Sequence, residues 1–257
     1  MSPRRIFISF GTMMRKEFVR MFRIWSQTFL PPVITSTLYF LVFGTFIGSQ
    51  LAPIQGISYM QFIIPGLIMM TVITSSYTNV VSMFFMAKFM RTIDEILVSP
   101  TPDWVVILGF VSGGILRGLI TGVLVLIVAL FFAPIAIANV FVIIAAFMLT
   151  SVVFSLAGLI NGVYAKGFDG ISIIPTFVLT PLTYLGGIFY SITLFPEFWQ
   201  NVSLLNPILY MINAFRYGFW GISDIPLWQC FAVLIGITAL FILASMWLFR
   251  SGIGMKN

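Results

Sequence analysis

Histidine is absent from the 257 residues, and cysteine occurs once, at Cys230. Without histidine, the commonest metal ligand and the commonest proton-transfer base are both missing. One cysteine inside an apolar run builds neither a disulfide framework nor a metal cluster. Charge is scarce: 8% of residues are charged against 60% hydrophobic, and the mean hydropathy is +1.10. No Gly-x-x-x-x-Gly-Lys-Ser/Thr phosphate loop occurs, so this chain offers no such nucleotide site and no cofactor is expected in it. A single buried core is excluded as well. Charge-free runs beyond twenty residues recur, and a soluble fold cannot hide so many all-apolar helices. The net charge of +6 suggests acidic partners. The charges bracket apolar segments, however, which indicates a lipid bilayer and no nucleic acid. The first long apolar run begins some two dozen residues in, with no short apolar region and cleavage site before it. No cleavable signal is therefore expected.

What is present is a set of apolar segments long enough to cross a hydrocarbon core of roughly 30 Å. The expected fold class is an all-α polytopic membrane protein of six transmembrane helices, at about 29–48, 60–86, 105–131, 139–163, 171–191 and 227–249. The whole chain, 1–257, reads as one transmembrane unit. Residues 1–28 form an interface helix, 29–86 the first two spans, and 87–103 a polar island. Residues 104–191 hold spans three to five, 192–226 an outer segment, and 227–257 the last span with its tail. Six spans put both termini on one side. That side carries Arg4, Arg5, Arg15, Lys16, Arg20, Arg23, Lys88, Arg91, Lys166, Arg250 and Lys256, eleven of the thirteen Lys and Arg. The positive-inside rule makes it the cytoplasm.

Residues 4–26 alternate these cations with Ile6, Phe7, Phe10, Met13, Met14, Phe18, Met21 and Trp25. This pattern describes an amphipathic helix lying in the membrane interface. Glu17 projects from its apolar face and is expected to pair with a cation on a neighbouring element, Lys88 or Arg91. Arg117 falls inside the third span, roughly 20 Å along a helix from Trp104. Two roles fit it: lining a transport path, or acting as a structural arginine bonded to carbonyls or reaching outward. Gly109, Gly113, Gly114, Gly118 and Gly122 on the same span allow another helix to approach closely. Gly44 with Gly48, and Gly158 with Gly162, repeat the spacing.

The island AKFMRTIDEILVSPTPDW (87–104) is the polar exception. Phe89, Met90, Ile93, Ile96 and Leu97 share one helical face, and Lys88, Arg91, Asp94 and Glu95 the other. Pro100 and Pro102 stop the helix. An amphipathic helix with nothing of its own to bind is expected to dock on a second protein. After span five, Pro175, Pro181, Gly186 and Gly187 predict a kink or break. Residues 192–226 are too apolar for a free loop and too interrupted for a span. They are expected to dip partly into the outer leaflet, re-entrant, with Trp199, Tyr210, Tyr217 and Trp220 at the interface.

LLNPILYMINAFRYGF (204–219) resembles the signature of ABC-2 type transporter permeases, carried by Asn206, Pro207, Tyr210 and Arg216. The island, from Arg91 through two acids to Pro100, looks like the same family's cytoplasmic segment. PPVITSTLYF, SYMQFIIPGLIMM and PTFVLTPLTYLGG look closest to its YadH-like bacterial inner-membrane branch. The resemblance implies a homodimer working with two copies of a separate ABC-type ATPase subunit, which would bind the ATP. It also implies export across the bacterial inner (plasma) membrane. The island would be the coupling helix, with Phe89, Met90, Ile93, Ile96 and Leu97 as the docking face and Asp94 and Glu95 pairing with basic groups. The alternatives are a secondary transporter or a non-transporting membrane scaffold. The first expects a buried coupling-ion carboxylate, yet every Asp and Glu lies outside the expected spans. An intramembrane enzyme would need a nucleophile with its base, and none is arranged here.

Overall fold

A computed structural model describes residues 3–252 and 254, except for the side chains of Pro3, Arg5 and Leu97. Two cations used in the charge count, Arg5 by its side chain and Lys256 altogether, therefore lie outside the described residues. Among the described residues there is no strand, and eleven α-helices carry the fold. They are α1 (Pro3–Arg23), α2 (Trp25–Tyr39), α3 (Tyr59–Phe89), α4 (Thr92–Val98), α5 (Asp103–Leu130) and α6 (Val140–Tyr164). Then come α7 (Phe168–Ile174), α8 (Thr180–Tyr184), α9 (Glu197–Leu204), α10 (Pro207–Trp220) and α11 (Leu227–Ser251).

Five helical stretches are long and apolar enough to cross a membrane: Trp25–Gln50, Tyr59–Phe89, Asp103–Leu130, Val140–Tyr164 and Leu227–Ser251. The first is α2 running on through a π-helical stretch, Phe40–Ile47, and a last 3₁₀ turn. The ends are set by local chemistry. Ser58 and Gln61 form a reciprocal capping box at the start of α3, and the Asn139 carboxamide accepts from the Phe141 and Val142 amides at the start of α6. The expected span at 171–191 is not one of the five. Pro175 lacks an amide hydrogen, so the chain takes a π-helical turn over Pro175–Leu179 between α7 and α8. It then leaves helix altogether at Leu185–Ser191, where Gly187 has φ +77.

α3 is the hub. It packs against α2, α5, α6 and α10 and is buried over most of its length. The glycines explain how closely its neighbours come. A Cβ on Gly158 of α6 would stand 2.6 Å from the Tyr77 carbonyl oxygen of α3, closer than backbone atoms tolerate. On α5 the glycine row is shared. Gly114, Gly118 and Gly122 face α3, whereas Gly109 and Gly113 receive Met13 and Glu17 of α1. Residues four apart on α1 thus meet residues four apart on α5, so the two helices run side by side in the same direction. The N-terminal amphipathic helix accordingly packs into the bundle through Met13, Glu17 and Met21, while Phe7, Phe18, Phe22 and Trp25 stay exposed.

Contacts sort the helix ends into two groups. At one end the Lys88 ammonium donates to the carbonyls of Val163 (2.8 Å) and Ala165 (3.4 Å), Phe84 meets Phe249, and Phe168 packs on Phe85 and Phe89. At the other, the amides of Ala138 and Asn139 donate to the carbonyls of Phe219 and Gly218, Gln61 reaches the Pro134 carbonyl, and Phe40 packs on Phe132.

Candidate functional site

α4 belongs to the Lys88 end. It does not continue α3, because the chain turns at Arg91, whose φ of +58 is left-handed, an uncommon conformation for a residue with a Cβ. That turn rotates α4 relative to the island read as one helix. Ile93, expected on the docking face, is 1% exposed and belongs to the buried cluster that Val80 and Phe84 of α3 form with Val106, Ile107 and Phe110 of α5. Ile96 is half-buried against the same cluster, and the Leu97 side chain lies outside the described residues. Phe89 and Met90 are each 63% exposed, and Arg91, Asp94 and Glu95 are exposed too. The most exposed apolar side chain here is Val98, at 87%, which the sequence reading passed over. The outward surface therefore combines Phe89, Met90, Val98 and Phe168 with two acids and one arginine.

Glu17 is buried, but not against Lys88 or Arg91. Its carboxylate accepts from the Arg20 guanidinium at 2.7 Å, one turn along the same helix. Arg20 also donates to the Asn79 carboxamide oxygen of α3 at 2.9 Å. The expected cross-element ion pair fails because Lys88 is already consumed by the Val163 and Ala165 carbonyls, and Arg91 turns outward. Neither Arg20 nor Asn79 was singled out from sequence. Beyond them on α5 lies Arg117, in the wall of a cavity of about 290 Å³ between α2 and α3. Thr35, Ser36 and Tyr39 line it from α2, and Thr71, Thr74, Ser75 and Thr78 from α3.

The signature residues gather at the opposite end, and each has a structural task. Asn206 caps α10 by accepting from the Ile208 amide and donates to the Leu182 carbonyl of α8. Pro207 takes the first helical position, where a missing amide hydrogen is harmless. The Tyr210 hydroxyl donates to the Leu204 carbonyl of α9. Arg216 is 1% exposed, donates to the Gly187 carbonyl at 2.6 Å, and stacks 3.8 Å above the Phe62 ring of α3. Asp224 lies 3.9 Å away, near enough to attract the guanidinium without a hydrogen bond. Burial lowers the Arg216 pKa to about 10, against the opposing pull of Asp224. Asp224 itself accepts from Gln55 (2.7 Å), Ser191 (2.6 Å) and the Ile192 amide (3.3 Å). Arg216 and Asp224 together tie α10, the broken segment after α8, the turn before α3 and α3 itself into one latch.

The profile of the ABC-2 type transporter family matches residues 8–220. Inner membrane transport permease YadH of Escherichia coli (strain K12) is 56% identical over 242 residues, covering 94% of each chain. Nodulation protein J of Sinorhizobium fredii (strain NBRC 101917 / NGR234) is 23% identical over 182 residues, with 70% of this chain and 69% of that protein covered. Nodulation protein J of Rhizobium meliloti (strain 1021) is 20% identical over 202 residues, 77% of each.

Proposed function

The chain belongs to the ABC-2 type transporter family, and from that premise we propose that it is the membrane permease subunit of an exporter driven by a separate ABC-type ATPase. In this reading two copies of the chain pair with two copies of the ATPase in a bacterial inner membrane. The ATPase binds and hydrolyses ATP, and the permease binds none. The observation that carries the proposal is the outward surface formed by α4 and the turn that leads into it from α3. A chain without a phosphate loop presents exposed Phe89, Met90 and Val98 beside Arg91, Asp94 and Glu95, at the bundle end that also holds Lys88. Exposed apolar side chains set beside charged ones are what a specific protein contact uses. Ile93 and Ile96 act from behind, fixing α4 to α3 and α5 so that a push on α4 moves both helices.

Six crossings with both termini in the cytoplasm fit this arrangement. Phe168 packs at the Lys88 end, while Ser191 bonds Asp224 at the other end, so the broken α7–α8 segment runs between the two groups of helix ends. Residues 192–226 would then sit as a re-entrant cap on the outer side, held by Asn206, Tyr210 and Arg216. ATP-driven closure of the ATPase would move α4, and with it α1, α3 and α5, opening and closing a path that Arg117 lines. Glu17 and Arg20 make α1 part of that moving unit through Asn79.

Transport in vesicles holding the permease should require the co-expressed wild-type ATPase and fall to background with a hydrolysis-dead one. Transport that persists with the dead ATPase, or with a proton gradient alone, overturns the reading.

A further inference from the structure

Resting on the permease reading, the Arg117 cleft narrows what is carried. Arg117 sits near the midpoint of α5, roughly 20 Å from either end at 1.5 Å per residue. A guanidinium holds five donors, and a charge at such depth is stable only when paired and hydrogen-bonded. Among the described residues neither condition is met. The ion pairs are Glu17 with Arg20 and Arg216 with Asp224, and no protein acceptor lies within hydrogen-bond reach of the Arg117 guanidinium, whose buried Nε is unpartnered. The nearby carboxylate, Glu17, is already held by Arg20 at 2.7 Å.

The cleft that Arg117 enters supplies complementary chemistry. Its lining contains no Asp or Glu. Thr71, Thr74, Ser75 and Thr78 follow one another at helical spacing along α3, facing Thr35 and Ser36 of α2. Three of these six hydroxyls also satisfy their own helix or each other. Thr71 and Thr74 donate to the carbonyls four residues back, and Ser36 shares a hydrogen bond with Thr71 at 3.3 Å. Their lone pairs and rotatable hydrogens remain usable by an incoming group. One fork of guanidinium donors set among hydroxyls matches a many-oxygen anion, and phosphate fits that description better than a neutral apolar body. At about 290 Å³ the cavity holds a headgroup and not a whole lipid. Ile34 and Leu38 on α2, and Leu41 in the π-helical stretch that continues it, are exposed, so acyl chains could stay in the bilayer while the headgroup enters.

We infer that this cleft between α2 and α3 binds a phosphate-bearing headgroup of net negative charge, with Arg117 as its charge partner, and that the cargo is an anionic phosphate-bearing amphiphile.

The test is a native mass-spectrometry titration of the full permease, without ATPase, using phosphatidylglycerol and phosphatidylcholine as probes. The wild type should bind one phosphatidylglycerol per chain about ten-fold more tightly than phosphatidylcholine. That preference should vanish in Arg117→Gln and largely survive in Arg117→Lys. Thr74 is exposed, so Thr74→Glu leaves the packing intact and should abolish the preference by repulsion. Competition by glycerol 3-phosphate would assign the phosphate to a soluble source, and its failure to compete to a lipid. A folded Arg117→Gln or Thr74→Glu protein that keeps the wild-type preference overturns the site. Because no ATPase is present, that result leaves the coupling role of α4 untouched, and a failure of coupling leaves this binding intact.

Discussion

Reversing both acids of α4, Asp94→Lys with Glu95→Lys, will reduce recovery of the partner ATPase with the permease by about ten-fold or more and abolish cargo-stimulated ATP hydrolysis. Both side chains point outward, so the change creates like-charge contacts against a basic partner surface. Such juxtapositions cost several kcal/mol, and about 1.4 kcal/mol already corresponds to ten-fold in affinity. The permease alone should lose little. Exposed substitutions generally stay within about 0.5 kcal/mol, with a small addition here because both acids sit in the first turn of α4, where negative charge is favoured. Thermal unfolding of the purified permease checks that side, and affinity co-purification checks the other. Unchanged co-purification at full expression would remove α4 from the interface.

Replacing Arg216 with methionine will have the largest effect on the fold itself, on the order of 3 kcal/mol. The loss has three parts. The Gly187 carbonyl loses a 2.6 Å charge-assisted bond, the Phe62 ring loses its stacked cation, and buried Asp224 keeps its neutral donors without a positive neighbour. Arg216→Lys should recover only a fraction, since an ammonium cannot lie flat over the ring while reaching the carbonyl. Combining Arg216→Met with Asp224→Asn should be less damaging than Arg216→Met alone, because the second change removes the stranded carboxylate. The readout is the unfolding temperature together with the fraction of monodisperse protein after extraction. A double variant worse than the single would show that Asp224 has a task independent of Arg216.

These two sites differ in how far residue order alone exposes them. The polarity of the island and the two prolines after it announce a separate polar helix, and Pro175, Pro181 and Gly187 announce a broken segment. The left-handed turn at Arg91 has no such mark, since arginine carries no preference for it. Reading 88–97 as one helix therefore puts Ile93 on the wrong side and overlooks Val98. The Arg216 latch is hidden for another reason. Its partners Phe62, Gly187 and Asp224 come from three stretches far apart in the chain, and only the fold brings them together. Glu17 shows the same limit in small. An acid on an apolar face demands a cation, and residue types offered Lys88 and Arg91 as readily as Arg20. Packing decided among them, because the Lys88 ammonium already donates to the Val163 and Ala165 carbonyls at the end of α6. The hydroxyl row Thr71, Thr74, Ser75 and Thr78 was readable in principle from its helical spacing. Only the cavity shows that it faces Arg117.

The seating of an ATPase on the outward surface of α4 is a direct side-chain contact. It is tested most directly by placing a photo-crosslinking residue singly at Met90, Ile93 or Val98 and irradiating the active permease–ATPase complex. The ATPase should be captured from positions 90 and 98 and not from buried position 93. A complex that still hydrolyses ATP but gives no adduct at 90 or 98 would contradict the account.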